Sequence, residues 1–322
     1  MKGRFAPSPT GYIHLGNVWI ALLSYISTRQ QKGTYVVRME DIDLQRSKRE
    51  LGDALLDDLE WLGFEWDEGP RIGGPESTYW QSERQEYYAN ILESLALEKL
   101  IYPCFCNRAR LQSIASAPHM GEVVHRYDGH CRHIDEKEVK TLSAEKDPSL
   151  RLSIDSCDIE FTDRWQGVQH IHLEGELDDY VLRRGDGMYA YNLAVVLDDI
   201  AMGITEVIRG DDLLDTTGQQ IYLYKTLQQC LHSKHIKVPS YGHAPLLIDS
   251  EGHRLSKRQK SITIRELRDN QWSANRIVGE LAIAGGLVKA NTLNNREISI
   301  SELIEIDLNL PSLRQKTIEI KI

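Results

Sequence analysis

Two short segments of the chain carry residue types that suit phosphate chemistry. The first is PSPTGYIHLGN, residues 7–17, which leads into a run of apolar residues at helical spacing. A helix N-terminus presents free N–H groups and a positive dipole end to a phosphate, His14 adds a donor, and Gly16 lets a flat base approach the backbone. The alternative interpretation is a Gly–Pro turn with a surface histidine.

The second segment is RLSKR, residues 254–258, which follows an apolar run and a DSEG turn. A mobile loop that carries a lysine suits an adenylating site, because negative charge builds on pyrophosphate when a carboxylate attacks an α-phosphate. Lys257 is the candidate for stabilising that charge. When this segment is considered alone, a solvated basic loop is the alternative.

A third group consists of Cys104, Cys106 and Cys131, three of the five cysteines. Two thiolates one residue apart and a third beyond a loop suit tetrahedral zinc, with one further nitrogen or oxygen ligand. Three nearby histidines are chemically usual ligands of this kind: His125, His130 and His133. Three reduced cysteines without metal are the alternative. The odd count does not indicate a disulfide framework, and Cys157 and Cys230 are predicted to be ordinary buried thiols.

The first elements that position these residues have an αβ order. Residues 3–8 and 35–40 have strand composition, and apolar spacing predicts a helix from Gly16 to about Gln30. Strand, helix and strand in this order make one βαβ unit, which predicts a parallel sheet. Ligands of such sheets bind at the carboxyl ends of the strands, where residues 7–17 are expected to lie.

Later elements are less regular. Ser47 and Glu50 predict a capping box at the start of the next helix. Residues 101–185 break the αβ order with clustered Cys and His, which indicates an inserted domain. The sheet is predicted to resume with two apolar runs, Ala194–Leu197 and Thr205–Ile208. After about residue 260 the chain is predicted to be mainly helical.

The overall composition is that of a soluble globular protein, with 322 residues, 41% hydrophobic and 27% charged. The formal charge of −10 argues against non-specific nucleic-acid binding, although a local basic surface stays open. The first thirty residues show no secretory pattern, and no apolar run approaches the roughly 20 residues of a membrane span. We therefore expect a cytoplasmic protein without membrane contact.

Together, in this order and spacing, RFAPSPTGYIHLGN and RLSKR resemble the two signatures of class I aminoacyl-tRNA synthetases. Four further segments narrow the resemblance to the glutamyl branch: VRMEDID at 37–43, the Gly- and Pro-rich residues 67–75, QSER at 81–84 and IRGDDL at 208–213. The resemblance covers roughly residues 3–260.

The resemblance implies an α/β fold, a class I synthetase Rossmann-like parallel sheet split by an inserted zinc-containing acceptor-type domain. A short, mainly helical C-terminal segment is expected to follow. The implied parts are a first Rossmann-like half at 1–100, the inserted domain at 101–185, a second half at 186–245, and the KMSKS-type loop with the helical segment at 246–322.

The resemblance also implies roles for individual residues. L-glutamate is expected to contact Arg4, Phe5, Ala6, Pro7, Ser8, Glu40, Tyr191 and Arg209. ATP, with Mg²⁺, is expected to contact Pro7, His14, Gly16, Asn17, Ser256 and Lys257. His14 and Lys257 carry the implied catalytic roles. One structural zinc ion is expected on Cys104, Cys106, Tyr127 and Cys131, and tyrosine is the least usual of these ligands.

Physical arguments agree with these roles. On a strand Arg38 and Glu40 share one face, so Arg38 can steady the carboxylate that receives the α-ammonium of glutamate. The planar fork of Arg209 suits the γ-carboxylate, whereas glutamine would leave one donor facing an NH₂ group. Asn17 replaces the last histidine of the family's HIGH tetrad and keeps a donor. Arg254 replaces the first lysine of KMSKS and keeps the charge.

The acceptor of the glutamyl group is suggested only by the resemblance. The chain ends soon after RLSKR, and with YDGHC at 127–131 and AYNLAVV at 190–196 it resembles the glutamyl-queuosine tRNA(Asp) synthetase subfamily. That subfamily activates glutamate without tRNA and esterifies it to the cyclopentene diol of queuosine at the wobble position of tRNA(Asp). A monomer that recognises one end of the tRNA is expected. The alternatives are a truncated glutamyl-tRNA synthetase charging the 3′ end of tRNA(Glu) and a non-catalytic RNA-binding paralogue.

Overall fold

The computed structural model describes residues 1–107, 110, 127–255 and 262–321. Within these ranges the strands are β1 (Lys2–Phe5), β2 (Thr34–Val37), β3 (Ile101–Cys104), β4 (Ser149–Leu152), β5 (Cys157–Asp163), β6 (Gly167–Leu173), β7 (Val181–Arg183), β8 (Glu206–Gly210), β9 (Ser240–Ala244), β10 (Leu246–Ile248) and β11 (Thr317–Glu319). The α-helices are α1 (Leu15–Gln30), α2 (Arg49–Leu62), α3 (Gln85–Leu97), α4 (Glu136–Glu145), α5 (Tyr191–Ala201), α6 (Thr217–Cys230), α7 (Ile264–Asp269), α8 (Ala274–Ala284) and α9 (Ile300–Leu303).

A largely parallel sheet forms the centre of the described chain. Its strands lie in the order β2-β1-β8-β9-β5-β6, and every neighbouring pair is parallel except β5 with β6. Helix α1 connects β1 to β2, as the sequence predicts. The prediction of a mixed α/β fold with a parallel sheet is therefore confirmed.

Apolar side chains cover both faces of this sheet, as the burial of a parallel sheet requires. Val37 and Ile208 belong to a core that includes residues of α1, α2 and α8. Val36 and Val207, one position earlier on the same strands, belong to a core with residues of α3, α5 and α6. Because successive side chains of a strand point to opposite faces of the sheet, neighbouring residues of β2 and β8 contribute to different cores.

Two predictions of local structure are wrong. Ala194–Leu197 lies in the middle of α5 and not in a strand. Every residue of this run is buried, so its unbroken apolar sequence hides the helical period. The capping box of Ser47 and Glu50 does not form either, because Lys48 is the N-cap residue of α2 and its side chain makes no capping bond.

The segment predicted to be an inserted domain contributes to two different sheets. Strands β3, β4 and β7 form a separate antiparallel sheet. Strands β5 and β6, by contrast, form a hairpin that joins the main sheet beside β9. The limits at residues 101 and 185 stay predictions, but the hairpin shows that this part of the chain is not fully separate from the nucleotide fold.

The C-terminal segment packs back onto the start of the chain. Helices α7 and α9 begin with capping boxes, Thr263 with Glu266 and Ser299 with Glu302. Strand β11 pairs in parallel with β10, and Gln30, the last residue of α1, donates from Nε2 to the Ile304 carbonyl at 2.7 Å. None of the helices in the described ranges has both the length and the apolar character needed to cross a membrane.

Candidate active site

A cavity of about 630 Å³ opens at the carboxyl ends of β1 and β8, next to the first turn of α1. Its lining contains all the predicted substrate contacts that fall within the described residues: Arg4, Phe5, Ala6, Pro7, Ser8, His14, Gly16, Asn17, Glu40, Tyr191 and Arg209. Ser256 and Lys257 lie outside the described residues. The fold thus brings residues from distant parts of the sequence to one cavity, while their individual roles stay predictions.

Glu40 belongs to a buried cluster of charges in the wall of this cavity. Nη2 of Arg38 donates to Oε1 of Glu40 at 3.1 Å, in agreement with the shared face predicted from the sequence. Nη1 of Arg38 donates to Oδ1 of Asp199 at 2.8 Å, and the same oxygen lies 3.5 Å from Nε of Arg4. All four side chains are buried. Two guanidinium groups and two carboxylates therefore hold one another in place.

Burial raises the pKa of the Glu40 carboxyl above its ordinary value, although Arg38 and Arg4 oppose this shift. An ammonium group entering the cavity would act in the same direction as the two arginines and favour the carboxylate. The geometry therefore suits Glu40 to binding a cation at the wall of the cavity.

Asp198 anchors this cluster from behind. It accepts hydrogen bonds at 2.8 Å from Nε of Arg84 and from Nε2 of Gln81, and it lies 3.7 Å from Nε of Arg38. Gln81 and Arg84 come from the QSER segment, so this segment supports the cluster and does not line the cavity. Asp198 and Asp199 were not predicted as site residues from the sequence, although two adjacent acidic residues at the end of an apolar run were a usable signal.

Arg209, near the end of β8, is held by several buried partners. Nε donates to Nε2 of His243 at 2.9 Å, Nη1 to Oε1 of Gln220 at 2.7 Å, and Nη2 to Oγ1 of Thr217 at 2.8 Å. Its Cζ lies 5.3 Å from the ring centroid of Tyr241. These contacts fix a planar cation at the cavity wall, where it can meet an anion. Arg209 was identified from the sequence, whereas His243 was missed.

The turn around His14 closes another side of the cavity. His14 is the N-cap residue of α1, so the first turn of that helix faces the cavity. A Cβ at Gly16 would lie 3.1 Å from the carbonyl oxygen of Leu255, and Thr263 forms a β-bridge with His14. The described residues on both sides of 256–261 therefore adjoin this turn. The fold thus brings the first signature segment beside Arg254 and Leu255, the described residues of the second.

The three cysteines form a second cluster, outside the cavity lining. The sulfur atoms of Cys104, Cys106 and Cys131 all lie within 4.8 Å of one another. Oη of Tyr127 lies 3.8 Å from Sγ of Cys104 and accepts a hydrogen bond from the backbone N–H of Cys131 at 2.7 Å. Three thiolates at these separations fit a tetrahedral zinc ion with one further ligand.

The charge around the cluster also suits a metal. Burial raises the pKa of the Cys104 thiol, but Arg151, with Nε at 3.2 Å from its sulfur, and the hydrogen bonds from the Cys106 backbone and from Tyr127 together bring the pKa below its ordinary value. Of the candidate histidines, His125 lies outside the described residues. His133 is exposed, and its Nε2 lies 2.8 Å from Oε1 of Glu176. Neither His133 nor His130 belongs to the group of ligand atoms formed by the three cysteines.

Comparisons with known proteins agree with this geometry. The family described as tRNA synthetases class I (E and Q), catalytic domain, matches residues 1–314. The chain is 44% identical over 289 residues to a glutamyl-Q tRNA(Asp) synthetase of Nitratidesulfovibrio vulgaris, covering 89% of this chain and 87% of that protein. It is also 44% identical over 288 residues to a protein of the same name from Symbiobacterium thermophilum, with the same coverage of 89% and 87%.

Longer relatives match the same region. A glutamate–tRNA ligase of Sulfurihydrogenibium sp. is 37% identical over 284 residues, which cover 88% of this chain and 58% of that protein. The crystal structure of a glutamate–tRNA synthetase from Elizabethkingia anophelis superposes with a TM-score of 0.82 at 29% identity, covering 99% of this chain and 68% of that one. The resemblance inferred from the two signatures is confirmed, and the chain belongs to the class I tRNA synthetase family of the E and Q type.

Proposed function

We propose that this protein activates L-glutamate with ATP, without needing tRNA, and transfers the glutamyl group to the queuosine of tRNA(Asp). The observation that carries the first step is a single cavity lined by a buried carboxylate, Glu40, a buried guanidinium, Arg209, and the N-terminal turn of α1. The relatives named glutamyl-Q tRNA(Asp) synthetase, matched over nearly nine-tenths of this chain, support the acceptor.

Glutamate has one positive and two negative groups, and the cavity offers a partner for each kind. Glu40 pairs with the α-ammonium, and Arg38 and Asp199 keep Glu40 in position from behind. Arg209 pairs with the γ-carboxylate through its planar fork. Glutamine in the same place would present an amide NH₂ to a donor, which disfavours it strongly. Tyr191, the first residue of α5, lines the same cavity and is partly exposed.

ATP binds at the signature segments. The free N–H groups at the start of α1 and the side chain of His14 face its phosphates, and Gly16 leaves room for the base. Ser256 and Lys257 complete the site, with Lys257 over the phosphates. We expect Lys257→Ala to lower the rate of adenylation more than it weakens glutamate binding. Equal losses in the two quantities would contradict this role.

The reaction takes place in two steps. The α-carboxylate of glutamate attacks the α-phosphorus of ATP in line, the bond to the bridging oxygen breaks, and pyrophosphate leaves. A hydroxyl of the RNA then attacks the carbonyl carbon of the adenylate and AMP leaves. Positioning and charge stabilisation by the cavity residues supply most of the barrier reduction. Mg²⁺ bound with ATP would neutralise part of the phosphate charge.

The cysteine cluster has a structural role in this proposal. Cys104, Cys106 and Cys131, with Tyr127 as the fourth ligand, hold one zinc ion in the inserted domain at residues 101–185. Zinc bound by thiolates stabilises small domains whose own core is limited. The cluster lies outside the cavity lining, so the metal takes no part in either chemical step.

Charging assays with radiolabelled glutamate test the acceptor. Transcripts of tRNA(Asp) without queuosine, native tRNA(Asp) with queuosine, and tRNA(Glu) are compared at equal concentration. We expect transfer only to the queuosine-containing tRNA(Asp). Transfer to tRNA(Glu) alone would instead support a truncated glutamyl-tRNA synthetase. If glutamate-dependent exchange of pyrophosphate into ATP is absent, the chain is a non-catalytic paralogue and the proposal is refuted.

A further inference from the structure

We propose that Asp163 and His243 form a positioning pair that fixes the Arg209 guanidinium in the orientation needed to bind the substrate γ-carboxylate. This inference rests on the proposed function, because it concerns how the same cavity recognises glutamate. Neither Asp163 nor His243 lines the cavity. They act through Arg209 and are positioning residues for substrate recognition.

The three side chains form a line across three neighbouring strands. Asp163 is the last residue of β5, His243 lies on β9 and Arg209 on β8. Arg209 and His243 are register partners in the parallel β8–β9 pair. The exposed fractions of the three residues are 1%, 0% and 4%, respectively. Hydrogen bonds in such a dry environment are strong, and leaving any member without its partner is costly.

The hydrogen bonds set the tautomer of His243. Its Nδ1 lies 2.7 Å from Oδ2 of Asp163, which also accepts from the His243 backbone N–H at 3.1 Å. Asp163 further accepts the backbone N–H groups of Trp165 and Gln166, each at 3.0 Å. A carboxylate held by so many donors stays ionised and acts as an acceptor. Nδ1 of His243 must therefore carry the proton, which leaves the lone pair of Nε2 facing Nε of Arg209.

A neutral imidazole is the form that serves Arg209. Burial lowers the pKa of His243, with Asp163 partly opposing the shift and the charge of Arg209 adding to it. A protonated ring would lose its acceptor and repel the guanidinium. With Nε bound to His243, and with Gln220 and Thr217 on the other two nitrogens, rotation of the guanidinium plane is prevented. The fork is thus oriented before the substrate arrives.

Two replacements of His243 separate positioning from packing. His243→Asn keeps a donor for Asp163 but has no acceptor at the position of Nε2. His243→Gln can place its amide oxygen near that position and accept from Arg209. Because a displacement of about 1 Å in a substrate-positioning group costs up to roughly 100-fold, we expect His243→Asn to raise the KM for glutamate roughly 10- to 100-fold. His243→Gln should recover most of that loss, and neither should change the KM for ATP.

Glutamate-dependent pyrophosphate–ATP exchange measures both KM values, first in the wild-type protein. Absence of exchange there would refute the proposed function itself. Normal wild-type exchange together with an unchanged KM for glutamate in His243→Asn would overturn the positioning pair alone. Equal losses for glutamate and ATP in both variants would also overturn it, because a merely structural role predicts that result.

Val207→Ala is the matched control for stability. Val207 is buried on the same strand and the same face as Arg209, two residues earlier, but it does not line the cavity, so its truncation should lower the melting temperature and leave both KM values unchanged. If His243→Asn does not fold, Asp163→Asn supplies the same test. Its amide oxygen is a weaker acceptor for Nδ1–H, and its NH₂ favours the wrong tautomer of His243. The KM for glutamate should again rise, and an unchanged value would refute the inference.

Discussion

Replacing Glu40 with glutamine should weaken glutamate recognition strongly while leaving the fold intact. The amide has almost the same shape as the carboxyl, and Glu40 is only 6% exposed. Arg38, which donates to Glu40 at 3.1 Å, keeps its shorter contact with Asp199 at 2.8 Å. The cluster therefore stays paired, and the main change is the loss of one negative charge facing the cavity.

The magnitude follows from the burial of that charge. Removing one partner of a buried, hydrogen-bonded charge pair costs about 2–5 kcal/mol. The cavity is open on one side, so water can reach part of the substrate ammonium, and about 2–3 kcal/mol is the appropriate range. Since each 1.4 kcal/mol is tenfold, kcat/KM for glutamate should fall roughly 30- to 150-fold.

Glutamate-dependent pyrophosphate–ATP exchange is the assay, with glutamate and ATP varied in turn. Glu68→Gln is the matched control, because Glu68 is also largely buried, pairs with Lys2 at 2.7 Å and does not line the cavity. Glu40→Gln should impair glutamate use only, and the control should impair neither substrate. An unchanged kcat/KM for glutamate in Glu40→Gln would refute the assignment of the ammonium to this wall.

Three further predictions follow from the same structure. The pKa of Glu40 is raised in the folded protein, so the protonated carboxyl is favoured at low pH, whereas the substrate ammonium needs the ionised carboxylate. The KM for glutamate should therefore fall as pH rises through that pKa. Glu40→Gln should abolish this pH dependence. Gly16→Ala would place a Cβ 3.1 Å from the Leu255 carbonyl, so we expect a KM for ATP raised several-fold with unchanged glutamate KM and melting temperature. Cys131→Ser should lower bound zinc from about one per chain towards zero by elemental analysis and lower the melting temperature, and full zinc retention would contradict the metal site.

Residues near the first signature were the most predictable part of the site. The turn from Pro7 to Asn17 lies close in sequence to Arg38 and Glu40, which follow directly after β2, so local spacing determines much of their geometry. Arg209 and Tyr191 were placed by resemblance, and the fold brings both to the same cavity. Local patterns together with a family signature thus predicted a set of substrate-contact residues, and every described member of that set lines the cavity.

Supporting residues were harder to predict because their partners are distant along the chain. Asp163 and His243 are 80 residues apart and meet only because β5 pairs with β9. The pairing of β5 with the main sheet was itself missed, since residues 101–185 were expected to form a separate domain. Asp198 lies in a buried helix that the sequence suggested was a strand, so its neighbours could not be inferred.

A crystal structure with a non-hydrolysable glutamyl-sulfamoyl-adenosine analogue tests the central claim most directly. We expect the α-ammonium within hydrogen-bond distance of Glu40, the γ-carboxylate on Arg209, and the adenosine beside His14 and Gly16. An analogue bound outside this cavity, or with its γ-carboxylate turned away from Arg209, would contradict the proposed site.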